Sequence, residues 1–177
     1  NNKNGKWVLR TGKIIDWPDI KLRGICTILV GANIKDKSIV KRYIDAFSKA
    51  RANLVIFYHH PDQVLSWREK KHDEWWSKDL VKEIADYARY LNMEIWAGFN
   101  HKFKRGKFLD LEIGKNSNFY DPHAKNTYQF LFSLYDEILK TYEPSTFLIG
   151  HDEIYGLSTY KKNKKETTAS IFANDIK

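Results

Sequence analysis

Four stretches of the chain are apolar and rich in β-branched or aromatic residues, and most are followed by a segment with apolar residues at helical spacing. Gly24 to Val30 (Gly-Ile-Cys-Thr-Ile-Leu-Val) ends at Gly31 and predicts a buried strand. Asp36 then caps a predicted helix in which Ile39, Val40, Tyr43, Ile44 and Phe47 share one face, breaking near Ala50. The second strand is predicted over Asn53 to Tyr58. Ser77 caps a helix presenting Leu80, Val81, Ile84, Ala85, Ala88 and Leu91, and Asn92 closes it. The third strand is predicted over Glu94 to Phe99. Asp121-Pro122 is a cap followed by a first-turn proline, and it predicts a helix carrying Tyr128, Leu131, Leu134, Tyr135, Ile138 and Leu139. The fourth strand is predicted over residues 146 to 150, around Phe147-Leu148-Ile149, and a last helix from about Thr167 onward. The lead-in Asn1 to Lys13, with Asp16-Trp17-Pro18-Asp19 after it, predicts irregular structure.

The connections are asymmetric. Links from helix to strand are short, whereas those from strand to helix are long: His59 to Trp76, Asn100 to Tyr120, and Tyr155 to Lys165 are full of aromatic, histidine and charged residues. Long loops in a compact domain are usually functional or disordered. In repeated β/α units all strand-to-helix loops emerge at the carboxyl end of the sheet, so these three share one face. No glycine-rich phosphate fingerprint follows the first strand. The expected fold is therefore α/β, with parallel β/α units forming the first half of a (β/α)8 barrel across residues 1–177, a partial catalytic domain. A closed barrel takes about 250 residues. The chain is then a fragment, or another chain supplies the missing half, or the sheet is open; bare edges on the first and fourth strands would otherwise template aggregation.

The fourth strand runs into the stretch Ser145 to Ile154, where Gly150 is followed by His151, Asp152 and Glu153. An interior strand would not choose these polar residues, so the paired carboxylates are the first candidates for chemistry. Neighbours on a strand point to opposite faces, and both reach one cavity only where the strand ends or twists, which Gly150 permits. The alternative is a solvated acidic pair at a strand end.

The composition is that of a folded chain: 42% of the 177 residues are hydrophobic and 15% aromatic. Thirty basic against 22 acidic side chains give a net charge of +8, but the lysines are scattered except for the run at residues 161–165. No nucleic-acid-binding motif accompanies the charge, and no nucleic-acid partner is expected. Cys26 is the only cysteine, which excludes an intrachain disulfide, and no apolar run is long enough to span a bilayer.

The order of features resembles the amino-terminal half of the catalytic barrel of family 20 glycoside hydrolases, the β-N-acetylhexosaminidases. The matching pieces are Asp16-Trp17-Pro18, then Leu22-Arg23-Gly24 leading into the first strand, then Val40 to Asp45 with Ala52-Asn53-Leu54. Asp121-Pro122, Thr127-Tyr128 and Tyr135-Asp136-Glu137 follow, and the series ends in Phe147-Leu148-Ile149-Gly150-His151-Asp152-Glu153. The resemblance implies substrate-assisted, retaining removal of terminal N-acetylhexosamine, an exception to the two-carboxylate scheme. It makes Glu153 the general acid and then base, and Asp152 the group that orients the 2-acetamido nucleophile. Arg23 matches the arginine that holds sugar hydroxyls. His101 stands for the family histidine, and Asp62 and His151 complete the implied substrate contacts. The implied partner is a carbohydrate together with the missing barrel half, from the same full-length chain or from another, with no cofactor, no metal and no membrane. The compartment is not read from the sequence, and the resemblance favours a secreted or extracytoplasmic one. The chain departs from the pattern at His151, where the family has a second glycine, at His59-His60-Pro61-Asp62 and at Gly98-Phe99-Asn100-His101.

Two rival readings remain. A catalytically silent sugar-binding barrel would use Trp67, Trp75, Trp76 and Trp96 as stacking surfaces, although paired tryptophans are more often core packing. A metal-dependent hydrolase would use His59, His60, His101, His151 and Asp152, but their spacing matches no zinc motif.

Overall fold

The computed structural model describes residues 2–3, 6–7, 12–13, 15–27, 36–69, 76–102, 120–124, 126–150, 166–167, 169–171 and 173. Two short strands, β1 (Asn2–Lys3) and β2 (Lys6–Trp7), pair antiparallel. The main sheet contains β3 (Gly24–Thr27), β4 (Leu54–His59), β5 (Glu94–Asn100) and β6 (Thr146–Gly150), in that order and all parallel. Each new strand is added on the same side of its predecessor. A doubly wound sheet would reverse direction at a switch point, whereas a barrel adds strands in sequence, as here.

The helices are α1 (Lys37–Lys49), α2 (Pro61–Glu69), α3 (Lys78–Tyr90) and α4 (Thr127–Tyr142). The Asp36 carboxylate accepts from the Ser38 N–H at 2.8 Å and the Ser77 hydroxyl from the Leu80 N–H at 3.2 Å, so the two predicted caps are formed. Arg51, Asn92 and Glu143 have positive φ (66°, 59° and 45°) and turn the ends of α1, α3 and α4 toward the next strand. The predicted strand positions agree with those found, with boundaries moved by a residue where they are described. Residues 28–30 of the first predicted strand lie outside the described residues, and residues 169–171 and 173 are helical as expected.

Four expectations change. The lead-in, expected to be irregular, pairs Asn2–Lys3 with Lys6–Trp7. The first strand, expected to be buried, stands at one end of the sheet order as β3, with Gly24 and Cys26 exposed. Asp121-Pro122 opens a turn, not α4: the Asp121 carboxylate accepts from the His123 N–H at 2.8 Å and its carbonyl from the Thr127 hydroxyl at 2.7 Å, and the helix begins at Thr127. The His59 to Trp76 connection contains α2. His60 is its N-cap, Pro61 its first residue, and the Gln63 side chain reaches back to accept from the His60 N–H at 2.8 Å. That return contact is half of a capping box. The Trp67 indole N–H then donates to the Trp76 carbonyl at 3.0 Å, tying α2 to the start of α3.

Alternation along the strands separates two faces. Val55, Phe57, Ile95, Ala97 and Phe99 are buried against the helices, where Phe57 stacks on Tyr142 of α4 at 4.8 Å and Tyr135 meets both Phe99 and Phe147. Ile84 of α3 and Leu134 of α4 are fully buried in the same core. Truncating either to alanine should cost about 2 to 5 kcal/mol. The opposite face carries Ile56, Tyr58, Trp96, Gly98, Asn100, Leu148 and Gly150, the positions that line the interior in a barrel.

Candidate active site at the carboxyl end of the sheet

The strands β4, β5 and β6 end at His59, Asn100 and Gly150. Most of the buried polar side chains of the described residues gather at or just beyond these ends: His59, Asp62, Gln63, Ser66, Asn100 and His101. Burying polar groups is unfavourable unless they are hydrogen-bonded, so their partners define the site.

His101 is 2% exposed and holds the end of β6. Its backbone N–H donates to the Gly150 carbonyl at 3.2 Å, and its ring Nδ1 lies 2.9 Å from the same oxygen. A carbonyl only accepts, so Nδ1 carries the proton in this contact and the neutral ring's Nε2 is left to accept from the Tyr135 hydroxyl, with which it pairs. Tyr120 packs edge-on against the same ring at 5.5 Å. Both nitrogens are thus engaged inside the protein, and His101 positions the strand from which His151, Asp152 and Glu153 follow. Those three residues lie outside the described residues.

His59 closes β4 on the helix-facing side. It is fully buried, its Nε2 lies 2.6 Å from the Tyr142 hydroxyl, and Trp67 covers it edge-on at 5.2 Å. Burial lowers its pKa to about 3, with His60 adding to the effect and Gln63 opposing it weakly, so the ring is neutral at physiological pH. Burial likewise raises the Tyr142 hydroxyl well above its usual range, keeping it protonated. Asp62, in the first turn of α2, is 9% exposed and benefits from the positive end of that helix. Asn100 Oδ1 accepts from the Lys102 N–H at 2.9 Å and shapes the exit of β5.

Arg23 stands elsewhere. It immediately precedes β3, at the amino end of the sheet, where its Nε donates to the Arg51 carbonyl at 2.7 Å and its Nη1 to the carbonyls of Lys21, at 3.2 Å, and Ile20. Some six strand residues, roughly 20 Å, separate that level from Asn100. The structure therefore brings Asp62 and His101 to one end of the sheet and leaves Arg23 at the other. Among the described residues, no three His, Cys, Asp or Glu side chains converge to hold a metal ion, and no helix is long and apolar enough to cross a membrane.

From the sequence alone, Tyr58, Gln63 and Tyr135 have no part in the site, and His59 enters only as a ligand in the metal alternative. One signal was available for Tyr58. Glycines inside strands, here Gly98 and Gly150, mark places where something approaches the backbone closely.

No protein-family profile and no curated protein matches the chain. Solved structures do. The chain is similar to an exo-β-N-acetylglucosaminidase of Vibrio harveyi, solved in complex with N-acetylglucosamine, at 14% identity and a TM-score of 0.67 over 92% of this chain and 32% of that one. It is similar to a chitobiase of Flavobacterium johnsoniae at 20% identity and a TM-score of 0.61, over 78% of this chain and 24% of that one. A β-N-acetylhexosaminidase of Streptomyces coelicolor is similar at 19% identity and a TM-score of 0.60, over 78% of this chain and 34% of that one. The chain spans about a quarter to a third of the length of these proteins. The chain shares with these proteins the fold of part of their barrel.

Proposed function

We propose that this chain forms part of the catalytic barrel of a glycoside hydrolase that releases terminal N-acetylhexosamine by substrate-assisted hydrolysis. The observation that carries the reading is the anchoring of β6: His101 grips Gly150 at the carboxyl end of the sheet, and Asp152 and Glu153 follow in the next three positions. Carboxyl-end positions in this architecture serve chemistry more than packing. Glu153 protonates the glycosidic oxygen and then activates water, and Asp152 orients the acetamido group as its carbonyl oxygen attacks the anomeric carbon. Asp62 supplies a further polar group at the same end.

The remainder of the barrel covers the two open edges of the sheet. Among the described strands, β3 and β6 each pair on one side only. β6 carries exposed Ile149, the preceding helix α4 carries exposed Phe132 and Leu139, and leading into β3 lie exposed Ile15, Trp17, Ile20 and Leu22. Apolar groups along both edges and strand flanks suit further β/α units packed against them.

The test compares hydrolysis of matched 2-acetamido and 2-hydroxy glycosides by the full-length protein. Strong preference for the acetamido substrate is expected, and equal rates would remove the acetamido nucleophile from the mechanism. A second reading is a silent carbohydrate-binding barrel; of the tryptophans it would use, Trp67 and Trp76 are buried in the core, while Trp96 stands on the barrel-interior face and could stack on a sugar. Binding of N-acetylglucosamine without turnover of either substrate would select it.

A further inference from the structure

On the barrel-interior face, the side chain of Tyr58 does not stand up from its own strand but lies across its neighbours. A Cβ placed on Gly98 of β5 would come within 2.8 Å of the Tyr58 Cε2, and one on Gly150 of β6 within 2.9 Å of its Cζ. In the sheet register, Tyr58 pairs with Gly98, and Gly98 with Leu148, so Gly150 sits one layer nearer the carboxyl end. The ring thus runs diagonally from β4 over β5 to β6, and it carries its hydroxyl up to the layer of Asn100 and Gly150. Glycine in a strand is unfavourable for entropy and leaves no side chain to pack, so two of them beneath one ring indicate a groove kept clear for it.

We propose that Tyr58 is a specificity-determining residue whose hydroxyl hydrogen-bonds a hydroxyl of the bound sugar, with Gly98 and Gly150 forming the groove that aims it. This rests on the carbohydrate reading above, though not on turnover. A phenol is suited to such a contact because it is both donor and acceptor, as a sugar hydroxyl is, and its two torsions are fixed by the groove.

Two measurements on the full-length protein test it. The first is calorimetric titration of N-acetylglucosamine into wild type and Tyr58→Phe, which keeps the ring and removes the hydroxyl. One neutral hydrogen bond predicts affinity weakened roughly three- to tenfold. The second is a double-mutant cycle of Gly98→Ala with Tyr58→Ala, read by urea midpoint: the alanine methyl should be clearly less harmful once the ring is gone. Additive effects would overturn the groove, and equal affinity of wild type and Tyr58→Phe would overturn the sugar contact. Weakened binding by Tyr58→Phe in a protein that turns over no glycoside would sustain Tyr58 and reject the hydrolase reading. Normal turnover with unchanged binding would do the reverse, and a wild type that neither binds nor hydrolyses would reject both.

Discussion

The two ends of the sheet use polar side chains in opposite ways. At the amino end they serve the backbone. Asn53 accepts from the Arg23 N–H at 2.9 Å and donates to the Lys21 carbonyl at 2.8 Å, while Arg23 takes up carbonyls of the lead-in and of Arg51. Asp16 pairs with Arg51 close by. At the carboxyl end, polar side chains are buried and meet one another: His59 with Tyr142, His101 with Tyr135. Desolvating such groups is unfavourable, and a chain selected only for stability could use apolar residues there. On the proposed reading, the amino end is finished as a surface and the carboxyl end as a site. Substitutions at the first should alter stability alone, and substitutions at the second should alter activity.

Breaking this contrast at its strongest point means Glu153. Glu153→Gln in the full-length protein should lower turnover of a natural glycoside by about 10²- to 10⁴-fold, the usual contribution of a general acid-base group. Glycosides with good leaving groups should lose less, and the urea midpoint should stay within an equivalent of roughly ±0.5 kcal/mol. A variant that keeps full activity would leave the carboxyl end without its proposed acid.

His59 sharpens the contrast through pH. Its folded pKa of about 3 lies below its ordinary value of 6.5. Between those values the unfolded chain holds a proton that the native state refuses, so stability falls as pH drops through that window and is flat above it. The slope is about 1.4 kcal/mol per pH unit, or roughly 2 kcal/mol between pH 6.5 and pH 5. The carboxylates held below their usual range, Asp16, Asp36, Glu83 and Glu94, lose their contribution at lower pH still. Denaturation at about pH 7.5 and about pH 5 should therefore show a smaller acid loss for His59→Gln than for wild type. Equal losses would mean that the ring is not buried in its neutral form.

His101 comes next in size. His101→Phe keeps the bulk and removes the ring contacts with Gly150 and Tyr135. Leaving the Tyr135 hydroxyl without that partner should destabilise by about 1 to 3 kcal/mol. Because β6 is held by this ring, kcat should fall with little change in KM, the pattern of a positioning residue. A rise in KM alone would return His101 to direct substrate binding.

These outcomes also bear on what the sequence disclosed. The four strands were legible because each is a short apolar run, and α1 and α3 because Asp36 and Ser77 cap them and one face of each is apolar. Helix α2 was hidden. Its signal was local and inverted in emphasis: His60-Pro61-Asp62-Gln63 reads as a polar loop until Pro61 is taken as a first helical residue and Gln63 as the group returning to its cap. The start of α4 was misplaced because Asp-Pro serves a turn as well as a helix, and Thr127 binds that turn from its own end. Within the site, Asp62 and His101 were legible as polar residues after strands. Their burial was not, because it depends on α2 and α4 folding back over the sheet, and neither packing is written in local spacing.

The smallest expected effect is the most discriminating. The family resemblance assigns Arg23 to holding sugar, yet its guanidinium is committed to carbonyls at the amino end. Those carbonyls lie near the surface and can turn to water, so Arg23→Ala should destabilise by no more than about 1 kcal/mol. Affinity for N-acetylglucosamine and kcat/KM should be unchanged, since roughly 20 Å of strand separates the residue from the carboxyl end. Asn53→Ala is the matched control: its two backbone contacts should make it the more destabilising of the pair, again with activity intact. Should Arg23→Ala instead abolish sugar binding while Asn53→Ala does not, Arg23 would have to reach the sugar, and the division of labour between the two ends would fail at the residue that defines it.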